Sequence, residues 1–296
     1  FKEVELKKNV SMSYNNLAYL MEKRKLLYRY DSLYDNFIKN AERRFLSGEL
    51  NASEKAIAQI QRGQIYLQFS QINRDMEIAQ LEFQLLLNTE RKCMPDEITY
   101  MNEFLILADS SFIPESHPEI VFLEQQKKLA VSTSKMEKSK LLPEINIMFN
   151  SMTMQGYGSD NKLYDRSSRF NSGQIGLGIP MFSGFQRAKI NASISGQLIA
   201  ENNYNIGVQD LNSRYQAELK KYNVYYDAVK YLRENILNNV PIIIESANNR
   251  FTSGDIDYME WLLLTGQAIN IQNDYIENLK SMNESLIQLN YITSKK

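Results

Sequence analysis

The sequence predicts a mainly α-helical chain: two repeats of a long antiparallel coiled-coil hairpin, with one β-hairpin in the second repeat. Three observations predict it. The first is an internal repeat. Residues 41–54 read AERRFLSGELNASE and residues 247–260 read ANNRFTSGDIDYME. At an offset of 206, Ala41 meets Ala247, Arg44 meets Arg250, Phe45 meets Phe251, Ser47 meets Ser253, Gly48 meets Gly254 and Glu54 meets Glu260. A repeat of this kind decides architecture before any single motif does. The second observation is long stretches without Pro or Gly whose apolar residues recur every three or four positions. The third is one short segment where the period drops to two.

Taken in order, Lys2 to Leu46 holds no Pro or Gly and reads as one helix, stopped by Ser47-Gly48. Glycine ends helices cheaply because it enters the left-handed conformation without steric cost. Asn51 offers an N-cap with Glu54 three residues on, the capping-box spacing, and a second helix runs to about Leu87. Residues 1–90 are thus the first helical hairpin and 91–116 a connector containing Pro95 and Pro114. Residues 117–296 form the second repeat. Ser116-His117-Pro118-Glu119 is a helix start, and that helix reaches about Lys140.

After Pro143, Ile145, Ile147 and Phe149 alternate with Glu144, Asn146, Met148 and Asn150, so this is a strand. Residues 155–173 are polar and glycine-bearing and read as an exposed loop. Ile175, Leu177 and Ile179 then alternate with Gln174, Gly176 and Gly178, and Pro180 ends this second strand. The strand hairpin occupies 143–180. From Phe185 to Thr252 the period is helical again. Positions 215, 219, 222, 226, 229, 233, 236, 240, 243 and 247 are apolar except for Arg233, which is a coiled-coil seam. Roughly 65 residues give a rod of about 100 Å, with Pro241 as a local bend. Past Gly254, Asp257 and Glu260 repeat the capping spacing. The returning helix, to residue 293, carries Tyr258, Trp261, Ala268, Tyr275, Leu279, Met282, Leu286 and Leu289 on one seam. Leu262, Ile269 and Ile276 make a second stripe beside it. Two stripes let one helix pack against two neighbours, as a tubular wall requires.

Composition narrows the function. A net charge of −1, with Arg and Lys interleaved among Asp and Glu, gives no reason to expect nucleic acid. One cysteine, Cys93, and one histidine, His117, exclude an internal disulfide and a Cys/His metal cluster. No cofactor, metal site or catalytic constellation is expected, so the chain reads as a non-enzyme. Met148, Met152, Met154 and Met181 are expected to fill packing gaps, the commoner role of methionine, and not to bind a soft metal. No apolar run approaches the ~20 residues of a membrane-spanning helix, and FKEVELKKNV is no signal peptide. The chain is either soluble or a piece of something longer whose membrane segments are strands.

These residues resemble a known family, the TolC-type outer membrane factors, and within it the heavy-metal (Czc/Cus) branch. The likeness is carried by LLPEINI at 141–147, GLGIPMFSGFQRAKINAS at 176–193 and YDSLYDNFIKNAERRFLSGELNASEK at 30–55. It is carried further by ANNRFTSGDIDYMEWLLLTGQAINIQNDYIENLKSMNESLIQLNYIT at 247–293. The resemblance implies a homotrimer whose strands close a β-barrel in outer membrane lipid and whose helices form a tunnel through the periplasm of a Gram-negative bacterium. It implies two partners, a periplasmic adaptor protein and an inner membrane pump of the RND type. The function it implies is a passive exit duct for solutes, with heavy-metal cations among them. The offset maps Phe1 onto Gly207, inside the second-repeat helix, so the counterpart of the strand hairpin is expected upstream of residue 1. Two strands from each of three chains give six, fewer than the eight or more of closed barrels. The chain is therefore read as a C-terminal portion of a longer protein, and fusion to the C-terminus of a pump stays open.

The resemblance also assigns residues. Glu260, and with it Glu54, would narrow and charge the periplasmic entrance as a threefold ring of carboxylates; the plainer reading of Glu260 is a capping-box partner for Asp257. Arg44, Phe45, Ser47 and Gly48, with Arg250, Phe251, Ser253 and Gly254, resemble the family's adaptor-docking tips, where the plainer reading is a helix stop. Ile145, Ile147, Phe149, Ile175, Leu177 and Ile179 would face lipid in a barrel, or would pack on helices in a soluble sheet. The competing class is a non-membrane coiled-coil scaffold, against which the one-faced apolar strand pair speaks.

Overall fold

The computed structural model describes residues 2–46, 52–95, 112, 114–153, 155–167 and 169–294. The turn Ser47–Asn51 and most of the connector, 96–111, lie outside the described residues. The chain divides into two units, one made of Phe1–Pro118 and Asp210–Lys296, the other of Glu119–Gln209.

In the first unit, α1 (Lys2–Leu46) and α2 (Ala52–Leu87) form an antiparallel pair. Asn88 ends α2 in the left-handed conformation, φ 49°, with Thr89 N–H donating to Gln84 O and Asn88 N–H to Leu85 O. That is the Schellman arrangement, with Asn where Gly is usual. A 3₁₀ turn at Pro114–Ser116 precedes Pro118. His117 beside it is buried, with Nε2 3.1 Å from the carbonyl of Tyr291, so it anchors the connector.

The single rod expected over 185–252 is interrupted. The first helix, α4 (Gly184–Tyr231), gives way to a π turn over Leu232–Ile236 and a 3₁₀ turn over Leu237–Asn239. A new helix, α5 (Val240–Ser253), then starts. The cause is Pro241. Inside a helix its ring would strike the carbonyl four residues back and leave that carbonyl without a donor. In the first turn of α5 neither cost arises. Of the expected seam, Tyr215, Val229, Val240 and Ala247 are buried, and Leu211, one turn before Tyr215, is buried with them.

The last helix, α6 (Tyr258–Ile292), buries all eight residues of the expected seam, from Tyr258 to Leu289. Leu262, Ile269 and Ile276 lie half-buried beside it. It packs between α1 and α5. Polar contacts pin its register on α1. Tyr30 donates its hydroxyl to Gln272 Oε1 at 2.7 Å, Lys23 Nζ meets Glu277 at 2.7 Å, and Asn15 Nδ2 donates to the Lys280 carbonyl at 3.2 Å. Burial pushes the Tyr30 phenol well above its usual pKa, so it is a neutral donor at any physiological pH. On the other side of α1, Arg62 of α2 forks to Asp31 (3.2 Å) and Asp35 (2.6 Å).

In the second unit, α3 (Pro118–Ser139) runs beside the first half of α4. Lys127 bridges to Glu201 at 2.8 Å, and Gln186 donates to the carbonyl and carboxylate of Glu137. Gly207 allows the close approach, since a Cβ there would press into Leu123. The strands β1 (Glu144–Thr153) and β4 (Arg169–Gly178) form a ten-residue antiparallel ladder from Glu144↔Gly178 to Thr153↔Arg169. Inside the expected loop, β2 (Gly156–Tyr157) pairs with β3 (Leu163–Tyr164). The loop is thus shorter than 155–173. Residues 169–173, Arg-Phe-Asn-Ser-Gly, are polar apart from Phe170 and do not alternate, so only their backbone pairing with β1 shows them to be strand. Among the described residues no helix is long and apolar enough to cross a membrane.

The tip of the first unit draws its core from α1, α2, α5 and α6. Gly254 takes φ 86°, and Asp255 N–H donates to Arg250 O while Gly254 N–H donates to Phe251 O. Asp257 then caps α6 by accepting from Glu260 N–H at 2.8 Å. Ile256 and Trp261, at the spacing of a hydrophobic staple, are both buried in the same cluster. There Trp261 stacks on Phe37 of α1 at 4.0 Å between centroids, meets Tyr34 edge-on at 5.4 Å, and donates its indole N–H to Asn248 at 2.8 Å. Phe37 also touches the rings of Phe251 and Tyr258.

Two substitutions test this account. Trp261→Ala removes a fully buried ring that joins α1 to α5 and α6; the expected loss is about 3–5 kcal/mol, read as a lowered melting temperature of the helical signal, with Trp261→Phe intermediate. An unchanged melting temperature would show that the ring cluster does not hold the tip. Gly254→Ala meets no heavy atom closer than Arg44 Nη2 at 3.8 Å. Its cost is therefore backbone strain alone, about 1–2 kcal/mol, and an equal loss for Gly63→Ala in the middle of α2 would contradict that origin.

Candidate functional site

Two regions gather the residues singled out by the sequence, the α5–α6 tip and the strand hairpin. At the tip, Arg44 in the last turn of α1 does not project freely. Its Nη1 donates to the Phe251 carbonyl at 2.9 Å and its guanidinium lies 5.0 Å from the Phe251 ring. Carbonyls at a helix C-terminus carry partial negative charge and lack intrahelical donors, so a cation there is favourable. The duplicated Arg-Phe pair thus has an internal role. Phe251 is 2% exposed. Placed by the sequence among the docking residues, its side chain is a core residue that supports the tip from inside, packed on the rings of Phe37 and Trp261. Phe45 and Leu46 are exposed at the end of α1, and Ser253 and Gly254 are exposed at the turn. Ser253 donates to Asp255 Oδ2 at 2.7 Å, which stiffens the turn. Ser47 and Gly48 lie outside the described residues.

Glu260 is fixed through its backbone by the Asp257 cap, but its carboxylate does not complete a capping box. It pairs with Arg250 across the turn, Oε1 to Nη2 at 3.2 Å, with the two side chains 47% and 46% exposed. The aligned arginines of the two repeats therefore do different work, Arg44 on a carbonyl and Arg250 on a carboxylate. Spacing could not reveal this, since the partner of each is set by the turn geometry. Glu54 lies in the first turn of α2, and its side chain is outside the described residues.

In the strand hairpin, cross-strand pairing puts Ile145 opposite Leu177, Ile147 opposite Ile175 and Phe149 opposite Gly173, all on one face. Ile179 follows just after β4. All six apolar residues are exposed; Ile147 is 79% so. The other face carries Glu144, Asn146, Met148, Asn150, Gln174 and two glycines, Gly176 and Gly178. Beyond Phe149 the faces change character. Ser151 opposite Asn171 continues the isoleucine face, while Met152 opposite Phe170 lies on the polar one. Sequence alternation alone did not show this changeover. Aromatic rings stand at both ends of the apolar band, Tyr157, Tyr164 and Phe170 at the loop end and Phe182 and Phe185 where α4 begins. Among the described residues no three His, Cys, Asp or Glu side chains gather where a metal ion could be held. Met154 lies outside them.

The profile of the outer membrane efflux protein family matches residues 113–294, more than half of the chain. Solved structures share the fold. A membrane protein from Pseudomonas aeruginosa is 17% identical with a TM-score of 0.85, over 98% of this chain and 68% of that one. The outer membrane protein VceC from Vibrio cholerae is 12% identical with a TM-score of 0.83, over 99% and 70%. CusC, a protein that forms a transmembrane channel, is 16% identical with a TM-score of 0.81, over 99% and 69%. No curated protein matches the chain in sequence. Long paired helices, a strand hairpin exposed on its apolar face and the family match across residues 113–294 lead to one conclusion: this chain belongs to the outer membrane efflux protein family.

Proposed function

We propose that the chain is one protomer's part of a trimeric, passive exit duct of a tripartite efflux pump. The observation that carries this reading is a pair of unsatisfied apolar edges in the first unit. On α2, Ala58, Ile65, Ile72, Met76 and Phe83 are buried against α1. Ile60, Leu67, Ile78, Leu81 and Leu85 are exposed. At about 100° per residue these five fall within a sector of roughly 60°, on the far side from the buried set. The end of α4 repeats the pattern: Leu211, Tyr215 and Val229 are buried, and Val224 and Tyr231 are exposed on the opposite side. Two different apolar edges on one chain are complementary to each other in the next copy. Such a heterologous contact closes into a ring when the rotation permits. The family resemblance sets the number at three.

In this reading the strand hairpin lends two strands to an outer membrane barrel, with Ile145, Ile147, Phe149, Ile175, Leu177 and Ile179 toward lipid and the Asn146–Gln174 face toward water. The aromatic rings at its two ends suit the two membrane interfaces. The tip meets a periplasmic adaptor through the exposed Phe45, Leu46, Ser253 and Gly254 and through the arginines behind them, while Glu260 lines the periplasmic entrance. An inner membrane pump of the RND type supplies the energy, and no covalent chemistry occurs in the duct. Heavy-metal cations among the solutes follow from the sequence resemblance alone, since TM-scores of 0.81 to CusC and 0.83 to VceC do not separate the branches.

Single-channel recording of the full-length protein in planar bilayers tests the duct: discrete conductance steps are expected, and a protein that inserts yet never conducts would sink it. The hairpin is tested by a matched pair. Ile147→Arg places a charge toward lipid at a cost of about 2–4 kcal/mol and should lower the yield of outer membrane trimer. Met148→Arg, one residue on and facing water, should be tolerated. Equal yields for the two variants would refute the assignment of faces.

A further inference from the structure

We propose that Arg250 sets the ion selectivity of the periplasmic entrance by cancelling the charge of Glu260. The inference rests on the placement of Glu260 at that entrance. The backbone of both residues is held by contacts that do not depend on their side chains. The Arg250 carbonyl accepts from Asp255 N–H at 2.9 Å and from Ile256 N–H at 3.4 Å, while Glu260 N–H donates to the Asp257 cap at 2.8 Å. The turn brings guanidinium and carboxylate to each other at 3.2 Å.

This pair is a poor stabilising device. Both partners are about half-exposed, and ion pairs so placed contribute little to folding. The tip is held instead by Trp261 and its ring neighbours. What the pair changes is the field. Residues 247–264 contain three anions, Asp255, Asp257 and Glu260, and one cation, Arg250. Three copies of an uncompensated Glu260 around one axis would concentrate negative potential in the opening, over the ~10 Å that 0.1 M salt leaves unscreened. With a guanidinium beside each carboxylate, the ring becomes three local dipoles whose field falls off faster. Met259 and Leu263, exposed on either side of Glu260 along α6, bring no further charge. Glu260 then adds little net charge to the opening, and loss of either partner shifts its preference, toward cations without Arg250 and toward anions without Glu260.

The test is reversal potential across a salt gradient, with the full-length trimer in planar bilayers. Arg250→Gln should raise the cation-to-anion permeability ratio by roughly threefold at 0.1 M salt, with the change fading toward 1 M as screening grows. Glu260→Gln should move the ratio the opposite way by leaving the guanidinium uncompensated. The double variant should return near the parent value, and Arg250→Lys, which keeps the charge and loses the planar fork, should resemble the parent. If Glu260→Gln shifts the ratio and Arg250→Gln does not, the cancelling role is wrong while the entrance placement stands. If neither single variant shifts it, the placement of Glu260 at the entrance fails as well. An Arg250→Lys channel that behaves like Arg250→Gln, or a double variant farther from the parent than either single one, would also overturn the proposal.

Discussion

A helix in a wall one layer thick has two neighbours and must bury two separate faces. Ordinary amphipathic helices bury one stripe and give the other side to water. Here α6 uses both of its stripes within the chain, packing between α1 and α5. The helices α2 and α4 use one face and leave a second apolar face exposed. The hydrophobic effect scales with apolar area removed from water, so those unburied stripes are a standing drive toward association. The same requirement explains the weak amphipathic contrast of the helices. Apolar residues lie on opposed sides of the rod, and the polar residues between them, Lys, Glu, Gln and Asn, line the remaining surfaces.

Two-sided packing makes long rods but fixes nothing along their axes, because a regular seam tolerates sliding by a heptad. The tip removes that freedom. Trp261 enters the space between α1 and α5, and its indole nitrogen is bound to Asn248, so only one axial register satisfies both ring stacking and the hydrogen bond. Arg44 adds a second fixed point on the end of α5, and Tyr30–Gln272 and Lys23–Glu277 repeat the lock along α6. The Schellman turn at Gly254 and the Asp257 cap set the angle at which α6 returns. Stability and register at this end come from buried rings and directed hydrogen bonds, which leaves the exposed Arg250–Glu260 pair free for an electrostatic task.

Much of this was legible because long periodic segments state their packing plainly. All eight seam residues of α6 were readable from spacing, as were the helix stop at Gly254, the cap at Asp257 and the apolar face of Ile145, Ile147 and Phe149. The repeat itself announced the two helical hairpins. What escaped was whatever depends on three-dimensional partners. Phe251 resembled a surface docking residue because the motif repeats Phe45, yet one ring is buried and the other exposed. The second repeat has Trp261 to pack on its phenylalanine, where the first has Lys55 at the aligned position. The partner of Glu260 was hidden for the same reason, and the strand extension over 169–173 because a single apolar residue, Phe170, makes no alternation and backbone pairing leaves no mark of its own on side chains.

A proline inside a wall helix threatens more than one hydrogen bond, because a kink would swing every later apolar residue out of phase with its neighbour. The chain meets Pro241 with a π turn at Leu232–Ile236 followed at once by a 3₁₀ turn at Leu237–Asn239. A π turn takes more residues per revolution than an α turn, and a 3₁₀ turn takes fewer. Placed in series they nearly cancel, so the helix restarts at Val240 with its phase preserved. The buried positions confirm the cancellation: Val229 before the break and Val240, Ala247 and Phe251 after it all remain in the cores shared with α6 or at the seam. Pro241 itself is exposed in the first turn of α5, where its missing N–H has no partner to lose. The break therefore lets the wall change helix without changing neighbour, which a rod committed to two-sided packing needs more than it needs straightness.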